Sequence, residues 1–121
     1  MMAKIARNAR RGFTLVEIMI VVLIIGILLA IAVPNFIKAR ENSRQKSCIA
    51  NLKQIESAKE QWAMDTRAAN TATPVDGDLF GTTTTHYIKA KPVCPSAGTY
   101  TLNNMATRPV CDKTADGHVL P

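Results

Sequence analysis

The stretch Arg10-Arg11-Gly12-Phe13-Thr14-Leu15-Val16-Glu17-Ile18-Met19-Ile20, continued by an apolar run to Val33-Pro34, decides the fold. From Phe13 to Val33 there are 21 residues with one charge, Glu17. A helix of that length is about 31 Å long, enough to cross the hydrocarbon core of a bilayer. Lys4, Arg7, Arg10 and Arg11 precede it with no acid among residues 1–12. Such a basic flank stays cytoplasmic and directs the C-terminal part outward. Lys38, Arg40, Arg44 and Lys46 follow the span and weaken that bias.

Three ordinary readings of the run stand side by side. It has the form of a cleaved secretory signal, with Ala30-Ile31-Ala32 as an A-x-A site. It also has the form of a single-pass anchor. A buried core helix is the third, and the remaining chain is too short and polar to surround one. Glu17 disturbs all three, because a carboxylate in hydrocarbon costs a few kcal/mol, roughly 3, and is normally kept for a partner. No Lys, Arg or His lies between Gly12 and Lys38. The cation that could share its depth is a new α-amino group, made by cutting the chain before Phe13.

These residues resemble the class III signal of type IV prepilins and type II secretion pseudopilins. The likeness covers about residues 10–64. It implies that prepilin peptidase, a membrane enzyme, cuts after Gly12 and N-methylates Phe13. Glu17 matches the family's invariant acid, which serves assembly, and Pro34 its helix proline. The basic leader is then a discarded cytoplasmic tag, and Ala30–Ala32 a coincidence. Implied partners are the peptidase, copies of the chain and other pilin-like subunits, and an inner-membrane assembly platform. The implied location is the bacterial inner membrane, single-pass with the C-terminus in the periplasm, and then a periplasmic or surface filament.

Beyond the span, Gly26 and Pro34 are weak points where the helix is expected to kink or lengthen. Cys48, Leu52, Ile55, Ala58 and Trp62 then fall on one helical stripe. Lys46, Lys53, Glu56, Lys59 and Glu60 take other faces. The spacing predicts one helix from about Phe13 to Asp65, followed by a small head. Asp76-Gly77-Asp78 reads as a turn, with a short helical piece at Leu79–Phe80, and Thr82–Thr85 as exposed. Tyr100-Thr101-Leu102 and Thr107–Cys111 read as an antiparallel pair around an Asn103-Asn104 turn, with Pro109 placing the return strand on an edge. The expected organisation is a leader (1–12), a transmembrane and polymerisation helix (13–34), an amphipathic stem (35–65) and a head (66–121). The fold class is α+β and pilin-like: a long N-terminal helix with a small antiparallel β head.

Net charge is +6, but without residues 1–12 eleven bases face nine acids, so the excess argues weakly for nucleic acid. The stripe Lys38, Arg40, Arg44, Lys46 reads as a solvated or headgroup-facing surface. The three cysteines contain no C-x-x-C pair, which weighs against structural zinc. Cys94 and Cys111 flank the hairpin in an exported tail, and a disulfide between them is expected to stabilise by roughly 3 kcal/mol. Cys48 reads as a small buried apolar residue.

The tail also resembles short pseudopilin-like proteins with C-P-x-x-G-x-Y and a late G-H-x-L-P, here Cys94, Pro95, Gly98 and Tyr100, then Gly117, His118, Leu120 and Pro121. Major pseudopilins often hold calcium in an acidic C-terminal loop. Asp112 and Asp116, with Asp76 and Asp78, could imitate it, but their spacing does not match, and solvated turn aspartates are the preferred reading. No cofactor is expected. His86 and His118 lack a nucleophile or metal context and read as satisfied or exposed, so no enzyme is expected. The short head favours a secretion pseudopilus subunit that supports protein secretion. The alternatives are a type IV pilin for adhesion, twitching or DNA uptake and, from another class, a small secreted binding protein.

Overall fold

Thr14 caps the first helix, α1, which spans Leu15–Thr66. A computed structural model describes residues 11–121; apart from Arg11 and Gly12, the basic leader lies outside the described residues. The chain divides into two compact units, one ending at Ile37 and one of Lys38–Pro121, and α1 contributes to both.

In the first unit α1 is apolar on every side and exposed on every side, and it is long and apolar enough to cross a membrane. The helical assignment continues through Gly26 and Pro34. Pro34 lacks the N–H that would bond to Ala30, and next to that gap the Asn35 side chain donates to the Ile31 carbonyl at 3.3 Å. A Cβ at Gly26 would meet nothing within 4 Å.

In the second unit the expected stripe forms the core. Cys48, Leu52, Ile55 and Ala58 of α1 are buried, with Leu79, Ile88, Cys94, Tyr100, Leu102 and Cys111 from the head; Trp62, Phe80, Tyr87 and Leu120 pack against them. Fully burying a residue such as Leu52, Ile55 or Leu79 stabilises by about 1.5–3 kcal/mol. At the end of α1, Arg67 takes the left-handed conformation (φ 53°) and Ala68 N–H bonds to Ala63 O at 3.1 Å, closing the last turn as a Schellman motif.

After α1 come α2 (Asp76–Leu79), strands β1 (Tyr100–Thr101) and β2 (Val110–Cys111), and a 3₁₀ turn at Thr114–Asp116. The strands pair antiparallel, Tyr100 opposite Cys111 and Thr101 opposite Val110. An isolated parallel bridge joins Phe80 and Ile88. The α+β class thus holds, with a shorter hairpin than the sequence pattern suggests. Much of the head is loop, tied to α1 by side chains.

Lys59 is the clearest of those ties and departs from the helical-wheel reading. It is only 3% exposed. Its ammonium donates to the carbonyls of Leu102, Asn104 and Thr107, so one cation gathers the 102–107 loop onto the helix. Burial lowers its pKa, and the charge of Glu56 opposes that shift. A periodicity argument assigns any lysine to solvent; here three carbonyl acceptors compensate the buried charge.

Candidate processing and assembly site

Glu17 has a partner within its own chain. Thr14 N–H donates to Glu17 Oε2 at 2.9 Å, and Glu17 N–H donates to Thr14 Oγ1 at 3.2 Å. Thr14 is the N-cap and Glu17 the third helical residue, a reciprocal capping box that satisfies two otherwise orphaned donors. The negative side chain also lies at the positive end of the helix dipole. The pattern Thr14-x-x-Glu17 is a capping signature carried by the sequence itself. The peptide N–H of Thr14 follows Phe13, so a cut before Phe13 leaves this box intact.

Around it the chain is open. Gly12 and Phe13 are exposed, Phe13 at 87%, and a Cβ on Gly12 would meet nothing within 4 Å. Leu15, Val16, Ile20, Leu23, Ile24, Ile27 and Ile31 are likewise exposed. So contiguous an apolar surface requires lipid or neighbouring protein to cover it.

Residues 7–33 match the family described as the Prokaryotic N-terminal methylation motif. The Type IV narrow pilus major component of Thermus thermophilus is 31% identical over 106 residues, 88% of this chain and 82% of that protein. The chain belongs to the type IV pilin-like family. Within 52 residues, 43% of the chain, this pilin-like protein is 56% identical to the Type IV major pilin protein of Myxococcus xanthus. It is 36% identical over 59 residues, 49% of the chain, to the Type II secretion system core protein G of Klebsiella michiganensis. The aligned parts are 24% and 42% of those two relatives' lengths, so the chain spans less than half of either. No solved structure matches it.

In the head of this pilin-like protein the cysteines are not arranged as the sequence suggested. All three are free thiols, so the expected Cys94–Cys111 disulfide is not formed. The hairpin sets Cys111 opposite Tyr100, and Cys94 precedes that strand. The sulfurs of Cys48, Cys94 and Cys111 converge instead with a ring nitrogen of His118, all four ligand-capable atoms within 4.8 Å of one another. His118 is fully buried, against the exposed or satisfied reading, and its Nε2 has no hydrogen-bond partner. Its Nδ1 lies 3.4 Å from Cys94 Sγ.

The thiols differ electrostatically. Burial pushes Cys48 up to about 12, against the hydrogen bond from Tyr100 OH at 3.5 Å. Burial likewise raises Cys94, but hydrogen bonds from the backbone of Ser96 and Gly98 and from Cys48 and His118 outweigh it and bring Cys94 to about 7. Burial raises Cys111, partly offset by the backbone N–H of Lys113.

The acidic residues considered for calcium do not converge. Asp112 Oδ1 accepts Thr99 N–H at 2.9 Å, Asp78 Oδ2 accepts Val75 N–H at 3.0 Å, and Asp76 pairs with Lys91 at 2.7 Å. Asp116 is exposed in the 3₁₀ turn. His86 is held between Thr83 Oγ1 and the Gly77 carbonyl.

Proposed function

We infer that this protein is a structural subunit of a type IV pilus-class filament, without catalytic activity of its own. The carrying observation is an N-terminal helix that is apolar and uncovered on every side, headed by Gly12-Phe13 and Glu17. Prepilin peptidase recognises the basic leader in the cytoplasm, cuts between Gly12 and Phe13 and N-methylates Phe13. Until assembly, the helix holds the subunit in the inner membrane with its head in the periplasm. In the filament, helices pack side by side through Val16, Ile20, Leu23, Ile24, Ile27 and Ile31. That contact supplies adhesion without fixing register. The α-amine of Phe13 from an adjoining subunit pairs with Glu17 and fixes it, because a shifted neighbour leaves a buried charge unpaired. The capping box holds the carboxylate in place for that contact.

A pilus is favoured over a secretion pseudopilus by the extent of the likeness. The pilus component of Thermus thermophilus matches into the head, whereas the core protein G match covers 59 residues, half of the chain. That pilus component, aligned over 82% of its length in 106 residues, is itself short. A short head is therefore no mark of a pseudopilus. The second reading, secretion, rests on the 32–36% identity to core protein G from several species. Deleting the gene in its host tests the choice. Loss of surface filaments labelled by an antibody to the head supports the pilus, and intact filaments with a depleted secretome support the pseudopilus.

A further inference from the structure

We propose that Cys48, Cys94, Cys111 and His118 form a structural zinc site that clamps α1 to the C-terminal tail. The four residues come from separate segments: α1, the Cys94-Pro95 turn, β2, and the segment after the 3₁₀ turn. Their ligand atoms lie within 4.8 Å of one another and all four side chains are buried. A tetrahedral zinc with Zn–S of about 2.3 Å and Zn–N of about 2.0 Å sets its ligands roughly 3.5–3.8 Å apart. The Cys94 Sγ to His118 Nδ1 separation of 3.4 Å is close to such an edge. Three sulfurs and one imidazole are a composition that selects zinc over calcium or magnesium.

The alternatives leave more unexplained. A disulfide uses two of three sulfurs and strands one thiol beside a buried imidazole. An apolar cluster leaves the His118 ring buried with only a thiol sulfur beside Nδ1; Nε2 lacks a partner with or without a metal. Metal binding uses all four groups, and a metal–nitrogen bond compensates the ring for burial. The balance is Zn²⁺ plus three thiols and one neutral imidazole giving a Cys₃His complex of charge −1, with three protons released to solvent. Backbone N–H groups of Ser96 and Gly98 towards Cys94, and of Lys113 towards Cys111, are placed to offset that charge. These are turn amides two and four residues after their cysteines, which orient a thiolate as a ligand.

The surroundings fit the same purpose. A Cβ on Gly98 would sit 2.6 Å from Cys111 Sγ, so the turn needs glycine there. Gly117 takes φ +78° immediately before His118, and its carbonyl accepts from Gln45 of α1 at 2.9 Å. A head whose sheet is two short strands gains most from such a staple. A missing C-x-x-C pair weighs only against zinc sites whose ligands come two by two from one loop; here each ligand comes from a different segment.

The test uses the full-length chain extracted in detergent from cells treated with a thiol-blocking reagent at lysis. Elemental analysis should give one zinc per chain, with three sulfurs at about 2.3 Å and one nitrogen at about 2.0 Å by X-ray absorption. Exchange for cobalt should give the visible d–d bands of a tetrahedral thiolate site. Cys111→Ser should weaken cobalt binding at least about tenfold. His118→Cys keeps four ligands, so it should still bind and should shift the spectrum to that of four sulfurs, a change that a purely packing role for His118 would not produce. A disulfide between any two cysteines without zinc overturns the proposal, as do three free thiols without zinc. Zinc retained unchanged in Cys111→Ser, held elsewhere, also overturns it.

Discussion

Replacing Glu17 by leucine and by glutamine separates two jobs that the geometry gives to one carboxylate. As a cap, Glu17 accepts the Thr14 N–H at 2.9 Å while its own N–H is held by Thr14 Oγ1 at 3.2 Å. Losing such a cap costs about 1 kcal/mol, roughly a fivefold loss in ordering of the first turn. Glutamine at this position retains a capping box, so Glu17→Gln should leave the helix start nearly intact. As counter-charge to a neighbouring α-amine, Glu17 matters far more, since removing one partner of a buried ion pair costs about 3–5 kcal/mol. At about 1.4 kcal/mol per factor of ten, that is on the order of a hundredfold or more per contact. Both variants should therefore insert and be processed near the wild-type level, while sheared filament yield collapses in both. The assay compares membrane level, processed fraction by mass and filament yield for wild type, Glu17→Gln and Glu17→Leu in one host. Wild-type yield and stagger in Glu17→Gln, with a loss only in Glu17→Leu, would refute the pairing and leave Glu17 as a cap.

Two further predictions concern the head. Lys59→Met keeps the stem but removes the donor to three carbonyls, which should cost about 2–4 kcal/mol, or roughly 10–25 °C in melting temperature by near-UV circular dichroism. Because burial lowers the folded pKa below the ordinary 10.5, the native state binds fewer protons in that window. The contribution of Lys59 to stability should thus be fullest above pH 10.5 and fall as pH drops through the folded value. Gly117→Ala forces a side chain into the left-handed region and against Gln45, and should cost about 1–3 kcal/mol in the same melt.

The long helix was legible because its signals are local: an apolar run, then a stripe through Cys48, Leu52, Ile55 and Ala58 that the structure buries. The hairpin was legible from alternation and its Asn103-Asn104 turn, though the strands are two residues each. Lys59 was not, because burying a lysine depends on carbonyls more than 40 residues away. The thiol–imidazole cluster was hidden for the same reason, since no spacing rule joins Cys48 to His118 across 70 residues. At the N-terminus the letters of the Thr14–Glu17 box are in the sequence, but an apolar run around a lone acid points to a missing cation rather than to the backbone donor three residues away.

The intact mass and N-terminal sequence of the protein from its host's membranes show whether this chain is matured as a filament subunit. Maturation at this site gives a chain that has lost residues 1–12 and begins with N-methylated Phe13, and Gly12→Val should accumulate as unprocessed precursor in the membrane. A chain beginning at Met1 or Met2 in assembled filaments, or one cut after Ala32, would contradict it.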